Sequence, residues 1–209
     1  PVPTAASSDV VSLYSDTYTE ESATWRTDWS VDSDYTEVDM SGNTVHRYTN
    51  MNFVGIEPGS AIDATGMNSF HLTVWRSDAT ADLKVKLVDY ASGTWNAATN
   101  VEHEFVFAAD TNAVPAGQWV TLEIPLEEMT GLTSQANIGQ IILSSHHYDD
   151  GGNPVGSGET LYVDDMYFSM GAHLTFSAEQ SDHFSLTPFG GSSAQIVNET
   201  QNDGTTGSV

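Results

Sequence analysis

The chain has no cysteine, which excludes a disulfide framework, a thiol nucleophile and any thiolate metal site. It is nearly as poor in positive charge. Five Lys+Arg stand against 29 Asp+Glu, for a formal net charge of -24 and a pI near 4.1. A field of that sign repels phosphate backbones and anionic lipid headgroups, so nucleic acid and membrane surfaces are not expected partners. No apolar run approaches the roughly 20 residues needed to span a bilayer. The chain opens at Pro1 with no signal-like segment and reads as a soluble piece of a larger, processed protein. Also missing are a Gly-x-Ser-x-Gly elbow, a phosphate-binding glycine loop and a His-Glu-x-x-His zinc helix.

What is present is a two-residue alternation of apolar and polar side chains, in short stretches punctuated by Gly, Asn, Asp and Pro. The 209 residues are enough for one large sandwich with a real core. Strands are expected at Asp9 to Tyr14, Tyr35 to Met40, Val45 to Asn50, Asn52 to Ile56, Ser69 to Ser77, Asp82 to Tyr90, Val101 to Phe107, Gln118 to Ile124, Ile138 to Ser144 and Thr160 to Phe168. Little repeats every 3.6 residues, so there are no helical crossovers to make parallel sheets. The expected fold is all-β, a jelly-roll sandwich of two antiparallel sheets. Residues 1–8 read as an N-terminal linker and 9–170 as the sandwich. Residues 171–209 read as a linker or the truncated start of a following module. Within that last stretch a short strand at His173 to Phe176 and an apolar cluster of Phe184, Leu186 and Phe189 precede a Gly-, Ser- and Thr-rich tail.

Alternation also assigns faces. Phe70, Leu72 and Val74 point inward while His71, Thr73 and Trp75 point outward; Leu83, Val85 and Leu87 alternate with Lys84 and Lys86. Val120, Leu122 and Ile124 point inward, leaving Trp119, Thr121 and Glu123 outward, and Pro125 closes that strand. Exposed indole suits carbohydrate, because pyranose rings present apolar C–H faces that stack on it while flanking polar groups bind the hydroxyls. Two surfaces qualify: a sheet-face groove of Trp75, Arg47, His71 and Lys84, and a loop-edge platform of Trp25, Trp29, Trp95 and His147. The charge favours a neutral glycan over a strongly anionic polymer, unless a local basic patch or bound cations intervene.

Two further features carry chemistry. Ser144 to Asp150 reads SSHHYDD, where His146 or His147 with Tyr148 has the residue types for a lyase or hydrolase. Adjacent histidines on a strand point to opposite faces, so both ligating one metal is not expected. Asp9 and Asp16 flank the first strand, and Asp164 and Asp165 interrupt an otherwise apolar last strand. A buried carboxylate costs several kcal/mol without a partner, so a structural calcium between first and last strands is expected.

The segments DVVSLYSDTY (9–18), TVHRY (44–48), VGI (54–56), IDATGM (62–67), FHLTVW (70–75), WVTLEIPL (119–126) and LYVDDMYF (161–168) together resemble the non-catalytic β-sandwich glycan-binding modules attached to laminarinases, alginate lyases and related enzymes of marine bacteria. The resemblance spans about residues 8–170. It implies a jelly-roll carbohydrate-binding domain with a structural calcium, for which Asp16 and Asp164 match the ligand positions. It further implies a monomeric, secreted or cell-surface module that targets a tethered enzyme, or the cell, to polysaccharide. The sequence departs from that pattern in a longer turn at Tyr148 to Gly158 and in the loop Asp89 to Asn100 that adds Trp95. Phe189-Gly-Gly191 and Ile196-Val197 resemble the opening of another module of such proteins. Two alternatives stay open: the lyase or hydrolase, and a calcium-stiffened structural repeat of an adhesin.

Overall fold

The computed structural model describes residues 3–171; the strand, apolar cluster and tail expected beyond Gly171 lie outside the described residues. Thirteen strands form: β1 Val10–Tyr14, β2 Ala23–Thr24, β3 Asp34–Met40, β4 Asn43–Thr49, β5 Phe53–Pro58, β6 Ser69–Arg76, β7 Leu83–Asp89, β8 Val101–Phe107, β9 Trp119–Pro125, β10 Ile138–Ser144, β11 His146–Tyr148, β12 Pro154–Gly156 and β13 Thr160–Ser169. All ten expected strands are among them. Among the described residues the only helices are 3-10 turns at Ser7–Asp9 and Leu126–Glu128, and no helix is long and apolar enough to cross a membrane.

Eleven of the strands make two antiparallel sheets, and β11 and β12 pair as a separate two-stranded hairpin. The first runs β3-β4-β13-β6-β9, with β1 also paired to β13; the second runs β2-β5-β10-β7-β8. First and last strands meet as expected, Val10 opposite Ser169 and Val11 opposite Phe168. Each sheet turns its apolar set toward the other. Phe70, Leu72, Val74, Ile124, Leu161, Val163 and Phe168 from the first sheet share one core with Val54, Ile56, Val85, Leu87, Ile141 and Leu143 from the second. Burying each such side chain contributes about 1.5–3 kcal/mol. Phe70 and Phe168, cross-strand neighbours, pack with ring centroids 4.8 Å apart.

One polar contact ties the sheets at one end of this core. Arg76, the last residue of β6, is fully buried and forks onto Glu159, the residue before β13, with Nε–Oε1 at 2.7 Å and Nη2–Oε2 at 2.8 Å. Nη2 also donates to the Ala81 carbonyl at the entry to β7, and the Ser145 hydroxyl after β10 donates to Glu159 at 2.5 Å. The bidentate geometry offsets the desolvation of both charges, which is the condition for a buried pair to persist.

A two-residue irregularity marks β13. Its pairing with β6 shifts between Val163 and Met166, a β-bulge that takes up Asp164 and Asp165 without turning the apolar residues on either side out of the core. Asp165 is buried and accepts the Ser15 hydroxyl at 2.7 Å, while half-buried Asp164 accepts the Asn43 amide at 3.2 Å. Residues 3–5, expected as linker, are held against the sandwich: the Tyr18 hydroxyl donates to the Ala5 carbonyl at 2.9 Å.

Removing one partner of the buried pair strands the other charge. Glu159→Gln and Arg76→Met are each expected to destabilise by about 3–5 kcal/mol in urea unfolding. The double replacement Arg76→Met/Glu159→Leu should recover most of that loss.

Candidate functional site: an aromatic row across the outer face of the first sheet

Strand register, more than loop placement, builds the site. Thr36 on β3 pairs with Arg47 on β4, Arg47 with Tyr162 on β13, Tyr162 with Trp75 on β6, and Trp75 with Trp119 on β9. The five residues form one continuous row perpendicular to the strands, on the face opposite the core. From Arg47 to Trp119 the row crosses three inter-strand spacings, roughly 14 Å at about 4.8 Å each. Arg47, Tyr162, Trp75 and Trp119 are all partly exposed. The rings are inclined: Tyr162 meets Trp75 at 5.4 Å and 72° and Trp119 at 6.4 Å and 56°. The surface is thus furrowed, not a flat plate.

One step along the strands lie Thr73 and Thr121, whose hydroxyls are hydrogen-bonded at 3.0 Å. A further step brings His71 opposite Glu123 on one side and Tyr167 on the other. His71 stacks on Tyr167 at 4.5 Å and its Nε2 contacts the Ser169 hydroxyl at 2.8 Å. Burial lowers the His71 pKa, opposed by the nearby Glu123 carboxylate, and raises that of Tyr167 to about 12. His71, Thr73, Thr121, Asp165 and Tyr167 line a cavity of about 280 Å³ together with Pro3 and Thr4. The outer face therefore offers apolar rings at one end and hydrogen-bonding groups at the other, the combination a sugar chain requires.

The expected groove is brought together in part. Trp75 and Arg47 share the row, separated only by Tyr162, and His71 lies on the same face four residues along β6. Lys84 does not join them. Its strand, β7, belongs to the second sheet, where Lys84 pairs with Glu104 at 3.7 Å on the outer face. Alternation distinguishes in from out but not one sheet from the other. Tyr162 and Trp119 complete the row in its place; Leu161 and Val163 pointing inward are the signal that turns Tyr162 outward.

The residues of the expected loop-edge platform do not converge. Trp25 stacks on buried His46 at 3.7 Å. Trp29 lies across Gly55 of β5, where a β-carbon would fall 1.9 Å from the indole, and donates to Glu57 at 3.3 Å. Trp95 is 60% exposed in the loop after β7, at the end of the second sheet where Asp89 pairs with Ile138. His147 is in the β11–β12 hairpin, beyond the opposite end of β10, with its Nε2 3.4 Å from the Thr80 hydroxyl. In that hairpin His146 Nε2 contacts Tyr148 at 3.2 Å. Among the described residues neither imidazole is hydrogen-bonded to a carboxylate that would orient it as a catalytic base.

Asp16, Asp164 and Asp165 gather where β1 ends and β4 begins, whereas Asp9 lies at the other end of β1, where its carbonyl accepts from Met170. Burial raises the Asp164 pKa, with Asp165 and Asp16 adding like charge, and Tyr14 is pushed up to about 12 by burial, Asp16, Glu20 and Asp164. Among the described residues no three His, Asp or Glu side chains converge as a metal site.

No family model and no curated protein matches the sequence. Among solved structures the chain is similar to carbohydrate-binding modules. A family 30 module aligns at TM-score 0.56 and 11% identity over 84% of this chain and 96% of its own. A second family 30 structure aligns at 0.53 and 11% over 77% and 98%. The family 30 module of the cellulosomal cellulase Cel9D-Cel44B of Clostridium thermocellum aligns at 0.52 and 11% over 77% and 96%. The likeness is one of fold, an antiparallel β-sandwich spanning nearly the whole of each of those modules.

His46 yields a stability prediction. It is 1% exposed, enclosed by Trp25, Tyr14 and Tyr35, and burial lowers its pKa from 6.5 to about 4. The folded protein keeps it neutral while the unfolded chain protonates it. Its contribution is therefore full above pH 6.5 and is lost as pH falls toward 4, a loss of about 3 kcal/mol. Denaturant unfolding across that window should show the decline, and His46→Phe should flatten it.

Proposed function

We propose that this chain is a non-catalytic polysaccharide-binding module. The observation that carries the reading is the in-register row of Arg47, Tyr162, Trp75 and Trp119, a rigid strand-borne surface that leaves two indoles and a phenol open to solvent. Sugar rings lie against these rings and turn their hydroxyls toward Thr121 and His71. The inclined rings favour a single twisted chain over the flat face of a crystalline polymer. With a net charge of -24, a densely anionic polymer is repelled and a largely neutral one is preferred. Attachment to a degrading enzyme, and secretion or display at the cell surface, belong to the same proposal; the family 30 likeness supports its carbohydrate-binding part through the shared fold.

The hairpin histidines supply the residue types for elimination or hydrolysis, but among the described residues no carboxylate is hydrogen-bonded to either imidazole. The spacer reading differs in predicting no glycan affinity at all. On a glycan array covering β-glucans, agar, alginate and chitin-type polymers, with calcium present, retention on at least one class is expected. Trp75→Ala and Trp119→Ala should each weaken it about tenfold or more with little change in melting temperature. Absence of retention would sink the reading; release of reducing ends or unsaturated products would replace it with the enzymatic one.

A structural calcium held by Asp16 and Asp164 is the second part of the proposal. Asp164 is half-buried beside like charge, and Asn43 Oδ1 is buried with no partner among the described residues, both of which a cation would relieve. Calcium takes six to eight oxygens, so these side chains need backbone carbonyls to complete the set. Calcium should raise the melting temperature and a chelator should lower it, with the difference abolished in Asp164→Asn. Identical melting curves in both conditions would remove the metal.

A further inference from the structure

The chain has five basic side chains, and four have protein partners. Arg76 pairs with Glu159, Lys84 with Glu104 and Lys86 with Glu102, while Arg26 donates to the Ser33 carbonyl at 2.5 Å. Arg47 is the exception: among the described residues it makes neither an ion pair nor a hydrogen bond, and its Nε is shut off from water with nothing to donate to. Its cross-strand neighbours are Thr36 and Tyr162. In a protein with almost six carboxylates for each basic group, an unpaired guanidinium on the exposed face calls for an explanation. A buried, unsatisfied donor is costly, and the residue opposite on β3 is the uncharged Thr36.

We infer that Arg47 receives an acidic substituent on an otherwise neutral glycan laid across Tyr162, Trp75 and Trp119. The inference rests on the polysaccharide-binding reading and adds to it the chemistry of the ligand. The planar fork of guanidinium donors matches two oxygens of a carboxylate or a sulfate ester. A sugar seated on Tyr162 brings its ring substituents over the neighbouring position of the row, where Arg47 stands. The substitution must be sparse. Arg47 is the one basic group of the described residues left free, and Glu123 and Asp165 hold the far end of the same face, so a charge on every sugar would meet repulsion. The ligand class is therefore a neutral backbone with isolated uronate or sulfate groups.

The test uses the intact 209-residue chain and three polymers: laminarin, mixed-linkage β-glucan and agarose oligosaccharides. Each is prepared as the parent, as a sparsely oxidised form with some primary alcohols converted to carboxylates, and as a sparsely sulfated form. Binding is followed by calorimetry and tryptophan fluorescence. At least one backbone should bind about tenfold more tightly in an acidic form than as the parent, and the advantage should shrink as salt is raised. The stronger acidic arm identifies carboxylate or sulfate as the group recognised. Arg47→Gln should erase the advantage by costing the acidic form about tenfold more affinity than it costs the parent, and Arg47→Lys should restore only part of it. Equal binding of parent and acidic forms overturns the inference, as does an equal loss for both in Arg47→Gln; in either case Trp75-dependent binding of the parent leaves the module reading intact. If no form of any polymer binds, both fall together.

Discussion

The fork between Arg76 and Glu159 holds the rest of the sandwich in register. A guanidinium and a carboxylate, both sealed from water, tolerate little displacement before their attraction no longer covers the cost of desolvation. Arg76 adjoins Trp75 in sequence, and Glu159 precedes the first residue of β13 and stands three positions before Tyr162. Fixing the pair therefore fixes the pairing of β6 with β13, and with it the meeting of Trp75 and Tyr162. Through Ala81 and Ser145 the same cluster holds the entry to β7 and the exit of β10, so the two sheets are clamped where the aromatic row lies.

The row itself is a product of pairing. No single strand contains more than one of its members, and each is present only because its neighbours in sequence face the core. Phe70 to Trp75 and Trp119 to Ile124 show the alternation clearly, and the outward direction of both indoles was legible there. Tyr162 was harder to see, because the carboxylates that follow it draw attention to metal chemistry and the bulge that absorbs them leaves no trace in hydrophobic period. Register and sheet membership are long-range properties. Nothing in the spacing of Lys84 distinguishes a strand of one sheet from a strand of the other, and so its assignment to the groove failed.

The loops show the complementary difficulty. Thr, Asp and Ser around Trp25 and Trp29 read as solvent-facing turns, yet both indoles are claimed by local packing, one by the imidazole of His46 and the other by the bare backbone of Gly55. A glycine inside a strand was the available sign that something large approaches closely. The strand list was recoverable almost in full because half-buried strands carry their own period. The two-residue β2 and the β11–β12 hairpin are too short, and too polar, to register in that way.

Every floor residue of the row is drawn from a ladder position, whereas the rim around it is made of connections. Lengthening the hairpin between β10 and β13, or exchanging the turn after β6, changes the connections while the floor stays where the ladders put it. The architecture thus separates a geometry fixed by strand pairing from an adjustable border made of connections. Insertions at the border can then change the surface chemistry around the row without requiring the sandwich to refold.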